Sequence, residues 1–157
     1  MTHPKLALDS NLTLLFAVGR AQTGMISRHK RLQSYSEADY ELLQGFLLSA
    51  QQVITTPQAM TEVSNLAGFG VAEPALSRIN SSVKGLAEAF FEIYNSSRNL
   101  AQYDEFARLG LADCAWLAVL GGETRLLTVD NALYLAALQR GHFAVNFNHV
   151  RESLRRI

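Results

Sequence analysis

Four carboxylates of this chain stand alone in otherwise uncharged sequence. Asp9 is the only charged residue between Lys5 and Arg20, Glu62 between Glu41 and Glu73, Asp113 between Arg108 and Glu123, and Asp130 between Arg125 and Arg140. The other acids keep charged company: Glu37 with Asp39 and Glu41, Asp104 beside Glu105, Glu123 close to Arg125. An ionised carboxylate in apolar surroundings costs several kcal/mol unless a cation, a metal or good hydrogen-bond donors compensate it. Packed together the four would repel one another, and no lysine or arginine adjoins any of them in sequence, so the compensating charge expected is a divalent cation. Ligands made only of oxygen favour Mg²⁺ or Mn²⁺ over zinc. Such a centre suits phosphoryl chemistry, because a hard cation lowers the pKa of a bound water and stabilises the oxygen that leaves. Each acid has a plainer reading too. Asp113 and Asp130 could be favoured by a helix macrodipole, Glu62 could face solvent, and Asp9 could cap the segment from Ser10 to Thr13.

The elements that must carry these acids are legible in the apolar pattern. Leu6 to Leu8 form a short strand ending at Asp9, and Ser10 opens a helix over Asn11 to Val18 that Gly19 should end. Arg20 to Ser36 reads as a polar, basic loop. Ser36, followed by Glu37, Asp39 and Glu41, caps a helix with Tyr40, Leu43, Leu47 and Ala50 on one face. Val53 to Thr55 is a strand, and Thr56-Pro57 supplies an N-cap and a first-turn proline for a helix that buries Met60, Val63 and Ala67 before Gly68 to Gly70 stop it. Ala72 to Leu109 reads as helical, broken near Asn95-Ser96-Ser97. Leu111 to Leu120 is a helix apolar on all sides, with Trp116 and Cys114 in the core. Arg125 to Val129, Asn131 to Gln139 and His142 to Phe147 complete the pattern as strand, helix and strand. Short strands alternating with helices predict an α/β fold around a mainly parallel sheet. In such sheets ligands sit beyond the carboxyl ends of the strands, where Asp9 and Asp130 fall directly and where Glu62 and Asp113 should reach.

At 157 residues, 48% apolar and with three prolines and ten glycines, the chain fits one domain spanning residues 1–157. One cysteine excludes an internal disulfide, and the absence of a signal-peptide core or a membrane-length apolar run predicts a cytoplasmic protein with no membrane partner. Net charge is zero, from 14 basic and 14 acidic side chains, so any nucleic-acid contact must be local. Its candidates are Arg28, Lys30 and Arg31, with His29 among them, and the cluster Arg151, Arg155 and Arg156; a solvated surface is the plain alternative for both.

Leu6-Ala7-Leu8-Asp9-Ser10-Asn11 resembles the opening of PIN domains, an apolar strand followed by Asp-x-Asn. Val53 through Glu62-Val63 resembles the family's second strand, proline and acid-bearing helix. Leu109 to Ala115 is similar to its third-acid motif and Leu126 to Leu133 to its fourth, all in the family's order. The likeness leaves out residues 20–52 and 73–107. It implies a three-layer α/β/α sandwich and a metal-dependent endoribonuclease, in which Asp9, Glu62, Asp113 and Asp130 are catalytic and hold Mg²⁺ or Mn²⁺, and metal-activated water hydrolyses the RNA phosphodiester. Asn11 and Thr128 become supporting groups, Asn11 orienting Asp9 and Thr128 lying near the metal. The bacterial toxin-type members imply an antitoxin protein and a homodimer as further partners. Ala112 stands where many members place Thr or Ser, and the stretch from Arg20 to Ser36 is long for the smallest members. Two alternatives stay open: a catalytically silent PIN-like interaction protein, and a haloacid-dehalogenase-like phosphatase. Asp9-Ser10-Asn11-Leu12-Thr13 resembles the latter's nucleophile motif but has Asn11 in place of its second acid and lacks its lysine motif.

Overall fold

The computed structural model describes residues 3–157. Its centre is a five-stranded, wholly parallel sheet in the order β3-β2-β1-β4-β5, formed by β1 (Lys5–Leu8), β2 (Gln52–Thr55), β3 (Phe91–Glu92), β4 (Thr124–Thr128) and β5 (Phe143–Asn146). Strands of two to five residues expose too few backbone groups to stand alone, and parallel pairing needs long crossovers, which the helices supply. They are α1 (Ser10–Ala21), α2 (Glu37–Leu48), α3 (Pro57–Ala67), α4 (Ala75–Ala89), α5 (Ser97–Leu100), α6 (Phe106–Leu109), α7 (Leu111–Val119), α8 (Asn131–Gln139) and α9 (Phe147–Arg155).

Alternation along each strand sorts the core into two layers. Leu6, Leu8, Val53, Leu127 and Val145 point to one face and pack with α1 to α4 and the first residue of α9. Ala7, Ile54, Leu126 and Ala144 point to the other, against α7 and α8, with α5 and α6 stacked outside α7 around Leu100, Cys114 and Ala115. The fold is therefore a three-layer α/β/α arrangement. Ala59 of α3 crosses to the second layer beside Trp116 and Leu117, so α3 and α7 meet at the sheet's carboxyl edge.

Several local readings of the sequence need correction. Gly19 does not end α1, which runs on to Ala21; a Cβ at Gly19 would stand 2.3 Å from the Tyr40 ring, so glycine serves close packing of α1 against α2. The second helix stops at Leu48, short of Ala50. The stretch from Ala72 to Leu109 is not one broken helix. It holds α4, the edge strand β3 and the one-turn helices α5 and α6. Two exposed residues in β3 cannot display a strand period. The last strand begins at Phe143 and ends at Asn146, and Phe147 opens α9 under an Asn146 cap. No helix among the described residues is long and apolar enough to cross a membrane.

Candidate functional site

Strand ends and helix starts place Asp9 and Asp130 at one edge. Leu8 of β1 pairs with Leu127 of β4, so the residues that follow these strands emerge side by side. Asp9 N-caps α1, its Oδ1 accepting from Leu12 N–H at 3.0 Å, and Asp130 N-caps α8 through Leu133 N–H at 3.0 Å. Thr128 links the pair: its hydroxyl donates to Oδ2 of Asp9 and accepts the N–H of Asp130 at 2.9 Å. The N–H of Val129 also donates to Asp9 Oδ2, at 2.9 Å. With two donors on Oδ2 and one on Oδ1, only Oδ1 of Asp9 keeps a lone pair for another partner.

Asp113 lies in the first turn of α7 with no hydrogen bond to a cap, and Glu62 lies exposed on α3. Burial first, then the negative charges of Asp130, Asp9 and Glu62 in that order, push the Asp113 carboxyl up to about 7. Asp9 is only 4% exposed, and its carboxyl too is raised, by burial against the lowering effect of its three hydrogen bonds and with a further push from Asp130. No lysine or arginine among the described residues forms an ion pair with any of the four.

Capping therefore accounts for one oxygen each of Asp9 and Asp130, as the plainer reading holds. It does not account for Asp113, where a macrodipole worth about 0.3–1 kcal/mol is outweighed by burial and three like charges. The donor chemistry fits a hard divalent cation: oxygen atoms of four acids, mutually repelling and without a basic partner. As placed, no three acidic, histidine or cysteine side chains among the described residues stand close enough to form a ready metal cage.

The supporting groups divide. Thr128 is fully buried between Asp9 and Asp130, whereas Asn11 is exposed and the hydrogen bonds that hold Asp9 come from Leu12, Thr128 and Val129. The basic stretch divides as well. Arg28, Lys30 and Arg31 are exposed, Lys30 lying 5.7 Å from the Phe69 ring centroid beyond the end of α3. His29 is buried, with Nε2 3.0 Å from the Ala67 carbonyl oxygen and Nδ1 accepting Arg31 N–H, so it anchors the loop.

Arg151 is not a surface cation. It is 8% exposed and pairs both ways with Asp39, itself 5% exposed, at 3.0 Å through Nε and through Nη2, while Nη1 donates to Asn148 at 2.9 Å. Its guanidinium lies 4.6 Å from the centroid of Tyr35, whose phenol is pushed up to about 12 by burial and by the nearby charge of Asp9. Tyr35 thus stacks on a buried ion pair, and no pattern in the loop sequence marks it. Ser36-x-x-Asp39 does announce a helix start, and both halves of the capping box form. Two further polar atoms at the carboxyl end of β2, Thr55 Oγ1 and Gln58 Oε1, are buried without a partner, and Gln58 sits one turn before Glu62.

Comparison with known proteins yields no matching family model and no matching curated protein.

Proposed function

We propose that this chain is a divalent-metal-dependent endoribonuclease of the PIN-domain kind, with Asp9, Glu62, Asp113 and Asp130 as its metal-holding, catalytic acids. The observation that carries the proposal is the joining of Asp9 and Asp130 through the Thr128 hydroxyl at the paired ends of β1 and β4, where neither acid forms an ion pair with a lysine or arginine among the described residues; the raised Asp113 carboxyl supports it. The parallel sheet supports it, since three of the acids sit at helix starts on the edge where such sheets take ligands. Mg²⁺ or Mn²⁺ bound there would supply a water of lowered pKa and charge relief for the leaving oxygen. Thr128 and the Val129 N–H occupy Oδ2 of Asp9 and so fix the carboxylate, leaving a lone pair on Oδ1 for a cation. Asp130 keeps Oδ2 free once Oδ1 caps α8.

An antitoxin protein and a homodimer belong to this reading through the likeness to toxin-type members alone, as does a cytoplasmic location. Arg28, Lys30 and Arg31 are its contacts to the RNA backbone, because an acidic centre cannot itself attract phosphates.

The test is cleavage of a single-stranded RNA by the purified protein with Mn²⁺, with and without a chelator, beside Asp130→Asn. Asparagine is an equally good N-cap, so the variant should lose less than about 1 kcal/mol of stability. Its cleavage rate should nevertheless fall by at least about tenfold, since an anionic oxygen has gone. Wild-type cleavage by a folded Asp130→Asn protein would exclude Asp130 from the site.

A further inference from the structure

Buried polar atoms in folded proteins almost always find a hydrogen-bond partner, and one left alone loses its hydration without compensation. Thr55 Oγ1 and Gln58 Oε1 are the two such side-chain atoms among the described residues. They differ in reach. Thr55 is 1% exposed and, two residues after Val53, turns into the layer of α1 to α4, where no solute can follow. Gln58 is only partly buried as a residue, and its Oε1 accepts nothing that would hold the amide inward, so the amide can swing out to meet a donor.

Gln58 is the second residue of α3, just beyond the carboxyl end of β2. The register that pairs Ala7 with Ile54 continues to set Thr56 beside Asp9, about 4.8 Å away across the sheet. Helix side chains lean toward the helix N-terminus, so the Gln58 amide points back to that edge. Ala59, the next residue, packs on Trp116 and Leu117 of α7, the helix that carries Asp113 in its first turn. A neutral carbonyl oxygen with an unmet demand for a donor thus stands one strand away from Asp9.

The chemistry of that atom selects its partner. Phosphate oxygens only accept and cannot serve, and the donors of bases change with sequence. The ribose 2′-hydroxyl is a donor that every RNA nucleotide has and DNA lacks. We infer that Gln58 Oε1 accepts the 2′-hydroxyl of one nucleotide of the bound strand and so favours RNA over DNA, an assignment that rests on the nuclease reading.

The experiment measures binding of single-stranded RNAs to metal-free protein, each strand carrying one deoxyribose at a different position. At one position the change should weaken binding to the wild type by about fivefold, the effect of one hydrogen bond, and should leave Gln58→Met unaffected. The melting temperature of Gln58→Met should hold or rise, because the atom it removes has no partner in the fold. A lower melting temperature would show the amide to be structural and overturn the inference, as would the same deoxyribose penalties in both proteins at every position. Cleavage in Mn²⁺ is scored separately: a wild type that cleaves nothing but keeps a Gln58-dependent preference for ribose overturns the nuclease reading and leaves the hydroxyl contact standing.

Discussion

Asp113→Asn should give a folded protein that is more stable than the wild type without metal at neutral pH and that has lost RNA cleavage. Asp113 makes no cap hydrogen bond, so asparagine breaks nothing that holds α7. The sign of the stability change follows from proton linkage. With the folded carboxyl near 7 and its ordinary value at 3.8, the folded state binds the extra proton between those limits, so stability falls as pH rises through that window. The asparagine variant lacks that decline. Because the side chain is partly exposed, the gain at pH 8 should be about 1–2 kcal/mol, well under the ideal linkage value. Denaturant titration at pH 5 and pH 8 reads the difference: the variant's advantage should be clearly larger at the higher pH. Cleavage should fall by at least about a hundredfold, the cost of removing a charged group that acts in the transition state. An Asp113→Asn protein less stable than wild type at pH 8 would show that this carboxylate is satisfied by its surroundings.

Why the acids were legible from sequence, and their frame less so, comes down to range. Asp9, Asp113 and Asp130 each follow a local signal, a short apolar strand or a glycine ahead of a helix, and Thr56-Pro57 marks the start of α3 to the residue. Isolation among uncharged neighbours then sets them apart. Gly19 carries no such information, since a glycine that stops a helix and one that admits a tyrosine ring look alike until Tyr40 is in place. The strand β3 is too short and too exposed to show alternation. Arg151 looks like a surface cation because its partner Asp39 lies 112 residues away along the chain, and Tyr35 gains its place against the Arg151 guanidinium only once that pair has formed.

The second large effect concerns that pair. Arg151→Met should destabilise the protein by about 3 kcal/mol, the low end of the cost of breaking a buried ion pair, because Arg155 stands 3.6 Å from Asp39 and can partly replace the missing charge. Removing Arg155 as well should take the loss toward about 5 kcal/mol. Asp39 is held below its ordinary value despite burial, chiefly by hydrogen bonds from Arg151 and Ser36. A lowered carboxyl contributes stability above its unfolded value, and that contribution disappears as pH falls through the folded value. The wild-type advantage over Arg151→Met should therefore shrink at acid pH. Thermal melts of the two proteins from neutral to acid pH check it, and a constant difference would mean that Asp39 is not the group responsible.

The most direct measurement of the central claim is a calorimetric titration of wild type and Asp113→Asn with Mn²⁺ at pH 8. The wild type should bind with release of heat that vanishes on prior chelation, and its affinity should fall as pH drops toward 6, because the proton on Asp113 must leave before the carboxylate can serve. The variant should bind at least about tenfold more weakly at pH 8. Equal Mn²⁺ affinity in the two proteins, or none in the wild type, would contradict a metal centre built on these acids.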